Sequence, residues 1–394
     1  MIPALPKTAA EIALGVSLPH RRMEDWRWTD LRQLINRPYP AGVAVKPGKR
    51  EAPRIAATSP FAEVIRARFI FVNGRYNGMI SRTPTNRGIV FSSGRTPVPM
   101  DADPLVAMNA ALADDGATLV IAGNTDKPIE LVFVTTQDLP RAVATRNRIV
   151  VKPGASATIV ETHLGEGEYL ASSLSQIELG EGARLDRIKL ELESAGAIHL
   201  AHCFVSLGRN AILRDLTFTS GAKLNRQNGT IRFAGEHGDA KVHGAYLLSG
   251  KQHADTRLLV DHAVPHCTSR EVFKCVMGGE ARGIFQGKVH VAKHAQKTDG
   301  KQSSHALLLS ETAEFDAKPE LEIYADDVVC GHGATAGDLD HDHMFYLNSR
   351  GIPEPEAKAM LVSAFVAEAF DTIAHEGIKD ALVALVETRL SSAP

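Results

Sequence analysis

A loose internal repeat of 28 residues restricts the fold of this chain more than any other feature. At this spacing a turn residue recurs, at Gly154, Gly182, Asn210 and Gly238. Close behind each of them lies a small residue that opens a β-branched run. Fixed spacing of this size is typical of a solenoid, in which each repeat forms one coil and the core continues from coil to coil. No helix of normal length fits between the units, which argues against a doubly wound α/β fold.

The repeat therefore predicts a mainly β protein with a right-handed parallel β-helix as its core. A β-sandwich is the alternative, because strand spacing alone does not separate the two folds. The phase of the repeat drifts after residue 240, so we expect the later coils to carry longer turns.

Helical segments flank the predicted β-helix. The sequence Thr8–Glu11 matches a capping box at a helix start, and Trp26 and Trp28 are expected to anchor a small helical unit on the main body. Residues 38–60 are rich in Pro, Gly and Ala and are interpreted as a linker. The expected division is a helical region and linker at 1–60, a β-helix core at 61–352 and a helical region at 353–394.

The last region contains two apolar stripes. Residues 356–375 predict an amphipathic helix whose apolar positions are Met360, Leu361, Ala364 and Phe365. Gly377 is expected to end this helix, and a second stripe follows it. A solenoid leaves the backbone groups of its last coil open, so one expectation is that these helices cap that end.

Composition excludes several classes of function. The net charge of −2 and the pI near 6.8 give no electrostatic reason to expect binding to nucleic acid or an anionic membrane. No apolar stretch is long enough for a membrane span, and the N-terminus does not resemble a secretory signal. Four scattered cysteines fit a reducing compartment better than a disulfide framework, so a cytoplasmic location is expected.

Cys330 and His332 form the most informative chemical pair. Apolar positions before them suit a strand, with Cys330 expected near its end, and residues i and i+2 of a strand share one face about 6.5–7 Å apart. A thiolate beside an imidazole suits iron, iron–sulfur species, zinc or copper. Two ligands do not close a metal site, so the remaining ligands must come from elsewhere in the fold or from another subunit.

Histidine is abundant, with eight of the 16 residues between 237 and 305. Their spacing matches no closed zinc pattern, so most are expected not to be ligands. His262 and His266 are ambiguous between metal binding and a structural role. The Asp/His run at 338–343 is interpreted as a solvated turn and a helix start, although it could add ligands.

The segment around Cys330 strongly resembles the C-terminal core of the SufB/SufD family, whose members are scaffold components of the SUF iron–sulfur cluster assembly machine. The form Cys-x-His-Gly-Ala-Thr and the chain length resemble SufD more than SufB. The matching stretches are KPELEIYADDVVCGHGAT at 318–335, FYLNSRGI at 345–352, DHAVPHCTSREVFKCVMGGEARGIFQGKVHV at 261–291 and AQKTDGKQ at 295–302.

The resemblance implies a non-enzymatic scaffold subunit that joins a SufB-like paralogue through the β-helix ends. Cys330 and His332 would then be transient ligands of an iron–sulfur cluster at that interface. It also implies that the C-terminal helices, through Met360, Leu361 and Phe365, dock a SufC-like ABC ATPase. The chain has no Gly-x-x-x-x-Gly-Lys-[Ser/Thr] loop, so nucleotide hydrolysis belongs to a partner.

Three other interpretations stay open. The chain could be a SufB-like subunit that carries the cluster itself, a zinc hydrolase that uses the histidine-rich coils, or a carbohydrate-active β-helix enzyme. When isolated, it could also form a homodimer, since an unsatisfied solenoid edge invites pairing with a second copy.

Overall fold

A computed structural model describes residues 7–40, 51–85, 88–97, 103–125, 127–136 and 141–391. Its core is a parallel β-solenoid of about seven turns, as the repeat predicts. Numbered in chain order, the strands are β1 (Ala67–Val72), β2 (Arg75–Tyr76), β3 (Ile89–Ser93), β4 (Ala117–Ile121), β5 (Ile129–Thr135), β6 (Ala142–Val151), β7 (Ser156–Gly165), β8 (Leu170–Leu179), β9 (Arg184–Glu191), β10 (Ile198–Leu207), β11 (Ile212–Thr219), β12 (Leu224–Phe233), β13 (Asp239–Leu248), β14 (His253–His262), β15 (Thr268–Met277), β16 (Arg282–Val291), β17 (Asp299–Leu308), β18 (Glu314–Ile323) and β19 (Val329–Gly337).

The strands form two sheets, which we call sheet 1 and sheet 2. Sheet 1 runs in the order β19-β17-β15-β13-β11-β9-β7-β5-β1-β2, and sheet 2 in the order β18-β16-β14-β12-β10-β8-β6-β4-β3. Each coil thus gives one strand to each sheet, and strands of neighbouring coils pair in parallel. The predicted alternative of a β-sandwich is excluded, because its sheets would be antiparallel.

Register along sheet 1 explains the drift of the repeat. Paired residues are 28 apart from β7 to β9 and from β9 to β11, then 27 apart at β13 and 29 apart at β15. The offset grows to 31 at β17 and is 30 at β19, which confirms that most later coils carry longer turns.

The turn residues of the repeat lie at one corner of the solenoid. Gly154, Gly182 and Asn210 have φ of 69°, 64° and 54°, a left-handed conformation that glycine and asparagine tolerate well. At the fourth corner this conformation belongs to His237, at φ 61°, and not to Gly238. The repeat therefore loses one residue at this corner, which explains the offset of 27.

Side chains from both sheets fill the inside of the solenoid, where Ile159, Leu185, Leu213 and Phe233 belong to one continuous core. Because helices also cover parts of the outer faces, several strands are buried on both sides. In β5 every residue is buried, so its sequence shows no alternation of apolar and polar positions.

N-terminal helical segments cover parts of both outer faces: the helix Glu51–Ala56 packs on β5 and β7 of sheet 1, and the others pack on sheet 2. They are α1 (Ala9–Leu14), a 3₁₀ turn (Glu24–Trp26), α2 (Leu31–Leu34), α3 (Glu51–Ala56) and α4 (Pro104–Leu112). The capping box is confirmed, since the Glu11 amide donates to Thr8 Oγ1 at 3.2 Å and the Thr8 amide donates to Glu11 Oε2 at 2.7 Å. Trp26 is buried beneath this unit, whereas Trp28 is half-buried. Helix α3 lies within the segment expected to be a linker, and residues 41–50 of that segment lie outside the described residues.

Four helical segments follow the last strand in the part of the chain that the structure describes; the first has no buried residue and contacts the second, and the other three pack on the outside of sheet 1. They are α5 (His341–Ser349), α6 (Glu354–Ala367), a 3₁₀ turn (Glu368–Thr372) and α7 (Glu376–Ser391). Both expected helices are present, but the first ends at Ala367 and Gly377 lies inside α7 instead of ending a helix. The expectation that they cap the last coil is also wrong. Buried residues of α6 and α7, such as Val362 and Leu382, pack with Leu190, Phe218 and Val276 on the outer face of sheet 1.

The two ends of the solenoid differ. At the first end, β2 and β3 pair antiparallel with β1 and β4 and interrupt the parallel ladder. At the last end, β18 and β19 are edge strands, and the apolar side chains of Ile323, Tyr324 and Val329 are 38%, 61% and 60% exposed. No helix among the described residues has the length and apolar character needed to cross a membrane.

Candidate functional site

Cys330 and His332 lie on β19, the last strand of sheet 1. They are its second and fourth residues, so Cys330 does lie near a strand end, but at the start of β19, because the chain turns between Ile323 and Val329 and the apolar positions before the turn belong to β18. Their spacing nevertheless places both side chains on one face of the strand, as predicted.

The register of β19 shows that this face is the inner one. Cys330 pairs with Gly300 and His332 pairs with Gln302 of β17, and both β17 residues are buried inside the solenoid. No further coil follows, so Cys330 is only half-buried and His332 is exposed. The thiol and the imidazole therefore lie at the mouth of the open last coil.

Beneath His332 lies an inward-facing column of polar side chains. Residue pairing stacks Glu271 of β15, Gln302 of β17 and His332 in successive coils. Glu271 is buried, and within the described ranges neither carboxylate oxygen has a hydrogen-bond partner of good geometry. Burial raises its pKa to about 8, against smaller opposing effects of Ser269 and Arg270. Sequence reasoning missed Glu271, since only the register joins it to this column.

Electrostatics keep the Cys330 thiol protonated. Burial raises its pKa, a hydrogen bond from the backbone of Gly300 opposes this, and the carboxyl groups of Asp299 and Glu271 raise it further. Metal binding requires the thiolate. A cation brought to this position must therefore displace the proton, and the isolated chain does not supply a ready-made thiolate.

The space around His332 is open. A Cβ built on Gly331 or on Gly333 would meet no atom within 4 Å. Neither glycine is required by the packing of this chain, so the bare backbone leaves room for an approaching molecule. A groove lined by Arg270, Lys301 and His332, among others, runs beside this end of sheet 1.

The other candidate ligands have structural positions. His262 Nε2 lies 3.0 Å from the Ser269 hydroxyl, and its ring stacks on Phe233. His266 occupies a solenoid corner with φ 60° and stacks on His237 of the previous coil. Asp340 accepts hydrogen bonds from the amides of residues 342 and 343 at the start of α5, which supports the interpretation of 338–343 as a turn and a helix start.

The histidines between 237 and 305 do not converge. Within the described ranges, none of the eight joins two other His, Cys, Asp or Glu side chains in a group compact enough for one metal ion. Cys267 and Cys275 are buried, as expected for small apolar side chains, and all four cysteines are free thiols.

The expected partner-binding residues lie on α6. Met360 is 46% exposed, while Leu361 and Phe365 are half-buried, and the Lys274 ammonium lies 4.6 Å from the centre of the Phe365 ring. The stripe that faces the solenoid is instead Ala357, Val362 and Val366. The predicted stripe is therefore offset from the buried one and stays partly accessible.

Comparison with known proteins gives a family. Residues 133–365 match the family profile described as "SUF system FeS cluster assembly, SufBD core domain". The chain is 31% identical over 389 residues to the iron–sulfur cluster assembly protein SufD of Escherichia coli K12, with 96% of this chain and 90% of that protein covered. It is 30% identical over 410 residues to a SufBD family protein of Synechocystis, covering 97% and 89%. A SufBD family protein of Mycobacterium leprae is 31% identical over 385 residues, covering 95% and 91%. The chain belongs to the SufB/SufD family of iron–sulfur cluster assembly proteins, and within that family it is similar to SufD.

Proposed function

We propose that this chain is a non-enzymatic scaffold subunit that binds a SufB-like paralogue and a SufC-like ABC ATPase, with the nascent iron–sulfur cluster built at the interface with the paralogue. Its family works in iron–sulfur cluster assembly. The observation that carries the proposal is the position of Cys330 and His332, which share the inner face of the last strand at an open solenoid end.

In this proposal the partner completes the ligand set. Cluster iron accepts thiolate, and imidazole can replace thiolate. Cys330 and His332 offer one of each, and the described residues around them add no further cysteine. A cluster held by ligands from two chains can be released when the chains separate, which suits a scaffold whose cargo must leave.

The edge strands of the last coil form the proposed joint, which is the interface with the paralogue. Strands β18 and β19 present unpaired backbone groups on the side away from their neighbours, together with the exposed side chains of Tyr324 and Val329. Natural proteins rarely leave such an edge uncovered. A paralogue with the same fold could add its own edge strands there and bring its ligands to Cys330 and His332.

ATP hydrolysis by the partner would act through the C-terminal helices. Met360, Leu361 and Phe365 form the proposed docking surface on region 353–394, and α6 is packed on β13 and β15. The ladder from β15 through β17 to β19 then links that surface to the candidate ligands. Strain applied to α6 would travel along this ladder and open the joint. The complex would work in a reducing compartment, the cytoplasm, because its cysteines must stay free.

Anaerobic cluster reconstitution on the co-purified three-component complex tests this proposal. We expect Cys330→Ala and His332→Ala each to reduce cluster yield at least 10-fold, without changing ATP hydrolysis. Cys203→Ala and His294→Ala are the matched controls, since one thiol lies in another coil and His294 is an exposed turn residue. Normal assembly by both site variants would remove these residues from the mechanism.

Measurements on the isolated chain separate two of the alternatives. A SufB-like carrier would assemble a stoichiometric cluster as an isolated chain, whereas a scaffold half-site would not. A zinc hydrolase would retain zinc and turn over substrate without partners. Either outcome would replace the proposed function.

A further inference from the structure

Three buried metal-binding side chains converge inside the solenoid, several coils away from Cys330. They are His163 on β7, His199 on β10 and Glu193 in the connection that follows β9. One donor atom of each lies within 4.8 Å of the others, and the side chains are 4%, 0% and 4% exposed. Their arrangement brings two imidazoles and one carboxylate together from both sheets.

In the described part of the chain, two of these side chains each have one buried atom without a hydrogen-bond partner. Among the described residues, nothing hydrogen-bonds to His163 Nε2 or to Glu193 Oε2, although both atoms are buried. Unpaired buried polar atoms are costly and rare. A cavity of about 30 Å³ is lined by both side chains and extends to Gly74 in the half-buried turn between β1 and β2. This space is large enough for a water molecule or an ion.

Carboxyl groups outnumber Lys and Arg side chains in this part of the interior. The surrounding buried carboxylates outnumber the buried cations by two. The carboxylates are Glu161, Glu191, Glu193 and Asp215, and the cations are Arg187 and Lys189.

The cations are already paired with other groups. Arg187 contacts Glu161 at 2.7 Å and Asp215 at 3.0 Å, and Lys189 contacts Glu191 at 2.7 Å. Glu193 is the carboxylate that neither cation neutralises by direct contact. Its closest partner is the imidazole of His199, and a bound dication would neutralise the buried carboxylate in place of a proton on that ring.

Neighbouring side chains hold the two rings in place. The His163 ring stacks on Phe133 at 4.7 Å, and His199 Nε2 lies 3.2 Å from the Lys189 ammonium and 3.3 Å from Glu191. Such outer contacts orient metal-binding histidines in known sites. His199 Nδ1 hydrogen-bonds to Glu193, and a metal ion would replace this bond. Tetrahedral bonds of about 2.1 Å put donor atoms about 3.4 Å apart, so donors up to 4.8 Å apart must close by as much as about 1.4 Å, while the hydrogen-bonded atoms of His199 and Glu193 must separate.

We propose that His163, Glu193 and His199 form a second metal site, which binds one divalent first-row transition-metal ion such as Fe²⁺ or Zn²⁺. Two imidazoles and a carboxylate suit these ions and disfavour Mg²⁺ and Ca²⁺, which prefer oxygen ligands. This site is separate from the cluster ligands at β19 and does not depend on the proposed scaffold function.

Metal binding to the full chain carrying Cys330→Ala and His332→Ala tests the site, because these changes remove the terminal ligands. We expect one equivalent of Zn²⁺, or of Fe²⁺ without oxygen, to remain bound after gel filtration in the presence of excess Mg²⁺. Adding Glu193→Gln should weaken binding about 10- to 100-fold or more, since even the loss of an outer contact has an effect of that size. Adding His294→Ala, an exposed histidine, should change nothing.

X-ray absorption on the zinc-loaded chain that carries Cys330→Ala and His332→Ala but keeps residues 163, 193 and 199 gives a second measurement, which does not depend on a substitution inside the proposed site. The expected spectrum shows nitrogen and oxygen ligands and no sulfur near 2.3 Å. Failure of the chain to retain metal, a sulfur signal, or equal affinity in the folded Glu193→Gln variant would each overturn the proposal.

Discussion

Glu271 is a buried acid at the base of the open solenoid mouth, and its environment makes folding sensitive to pH. Burial raises its folded-state pKa to about 8, while Ser269 and the adjacent Arg270 oppose this weakly. The unfolded carboxyl ionises near its ordinary value, so between the two values the folded chain binds a proton that the unfolded chain has lost. Stability therefore falls as pH rises from about 4.5 to 8, by up to a few kcal/mol at about 1.4 kcal/mol per unit of pKa difference.

Urea unfolding of the full chain across this pH range checks the expectation for Glu271. The Glu271→Gln variant should lose that part of the slope and should be more stable than the parent above pH 8, because the amide stays neutral. Glu322→Gln, which changes an exposed carboxylate on β18, should keep the slope. Equal slopes in parent and Glu271→Gln would show that the buried carboxyl is not the cause.

A substitution at Gly333 tests whether a partner approaches the backbone beside His332. A Cβ at this position meets no atom of the chain within 4 Å, and the residue is exposed on β19. We expect Gly333→Val to change the free energy of unfolding by no more than about 0.5 kcal/mol. The same change should weaken binding to the SufB-like paralogue at least 10-fold by filling the space that its backbone needs. Unchanged affinity in a titration would place the joint elsewhere.

At the level of elements, helix α6 has one face for the solenoid and another for a partner. Val362 is fully buried against sheet 1, whereas Met360 is 46% exposed. We expect Val362→Ala to lower the free energy of unfolding by about 1–3 kcal/mol through lost burial. Met360→Ala should leave stability within about 0.5 kcal/mol and weaken binding of the ATPase partner by about 1 kcal/mol or more.

Calorimetric binding and chemical denaturation of these two variants separate docking from folding, and each variant is the control for the other. Full ATPase affinity in Met360→Ala would remove that side chain from the docking surface.

The offset between the predicted apolar stripe of α6 and the buried one has a simple cause. Helix α6 carries apolar or small residues on most of its circumference, so periodicity alone did not select the face that sheet 1 buries.

For the whole molecule, the decisive feature is that one solenoid end is open. In the absence of the paralogue we expect two copies to pair through β18 and β19, giving a homodimer at micromolar concentration. Val329→Lys should make the chain monomeric, because a lysine on an exposed edge opposes strand pairing. Met79→Lys changes a side chain that is 93% exposed elsewhere and should leave the dimer intact. Sedimentation velocity distinguishes these states, and a monomeric parent chain would contradict the expectation.

Particular residues show why the solenoid could be predicted and its details could not. Gly154, Gly182 and Asn210 repeat because each coil needs a left-handed corner, and that local requirement is visible in the sequence. His237 breaks the pattern, because at its corner a histidine adopts the left-handed conformation that glycine or asparagine adopts at the others. The packing of neighbouring corners can support that conformation in another residue type. Glu271 and His332 are 61 residues apart, across offsets of 31 and 30, so no constant period connects them.

By itself, the sequence determined that the chain forms coils of strands and that Cys330 and His332 share one face of a strand. Both follow from local geometry, namely the length of a coil and the two-residue period of a strand. Only the tertiary structure decided that this face points inward at an open end, that α6 and α7 lie beside the solenoid, and that His163, Glu193 and His199 meet inside it. These features depend on register and on packing between distant segments, where the burial of apolar surface over the whole molecule decides among arrangements that the local sequence permits equally.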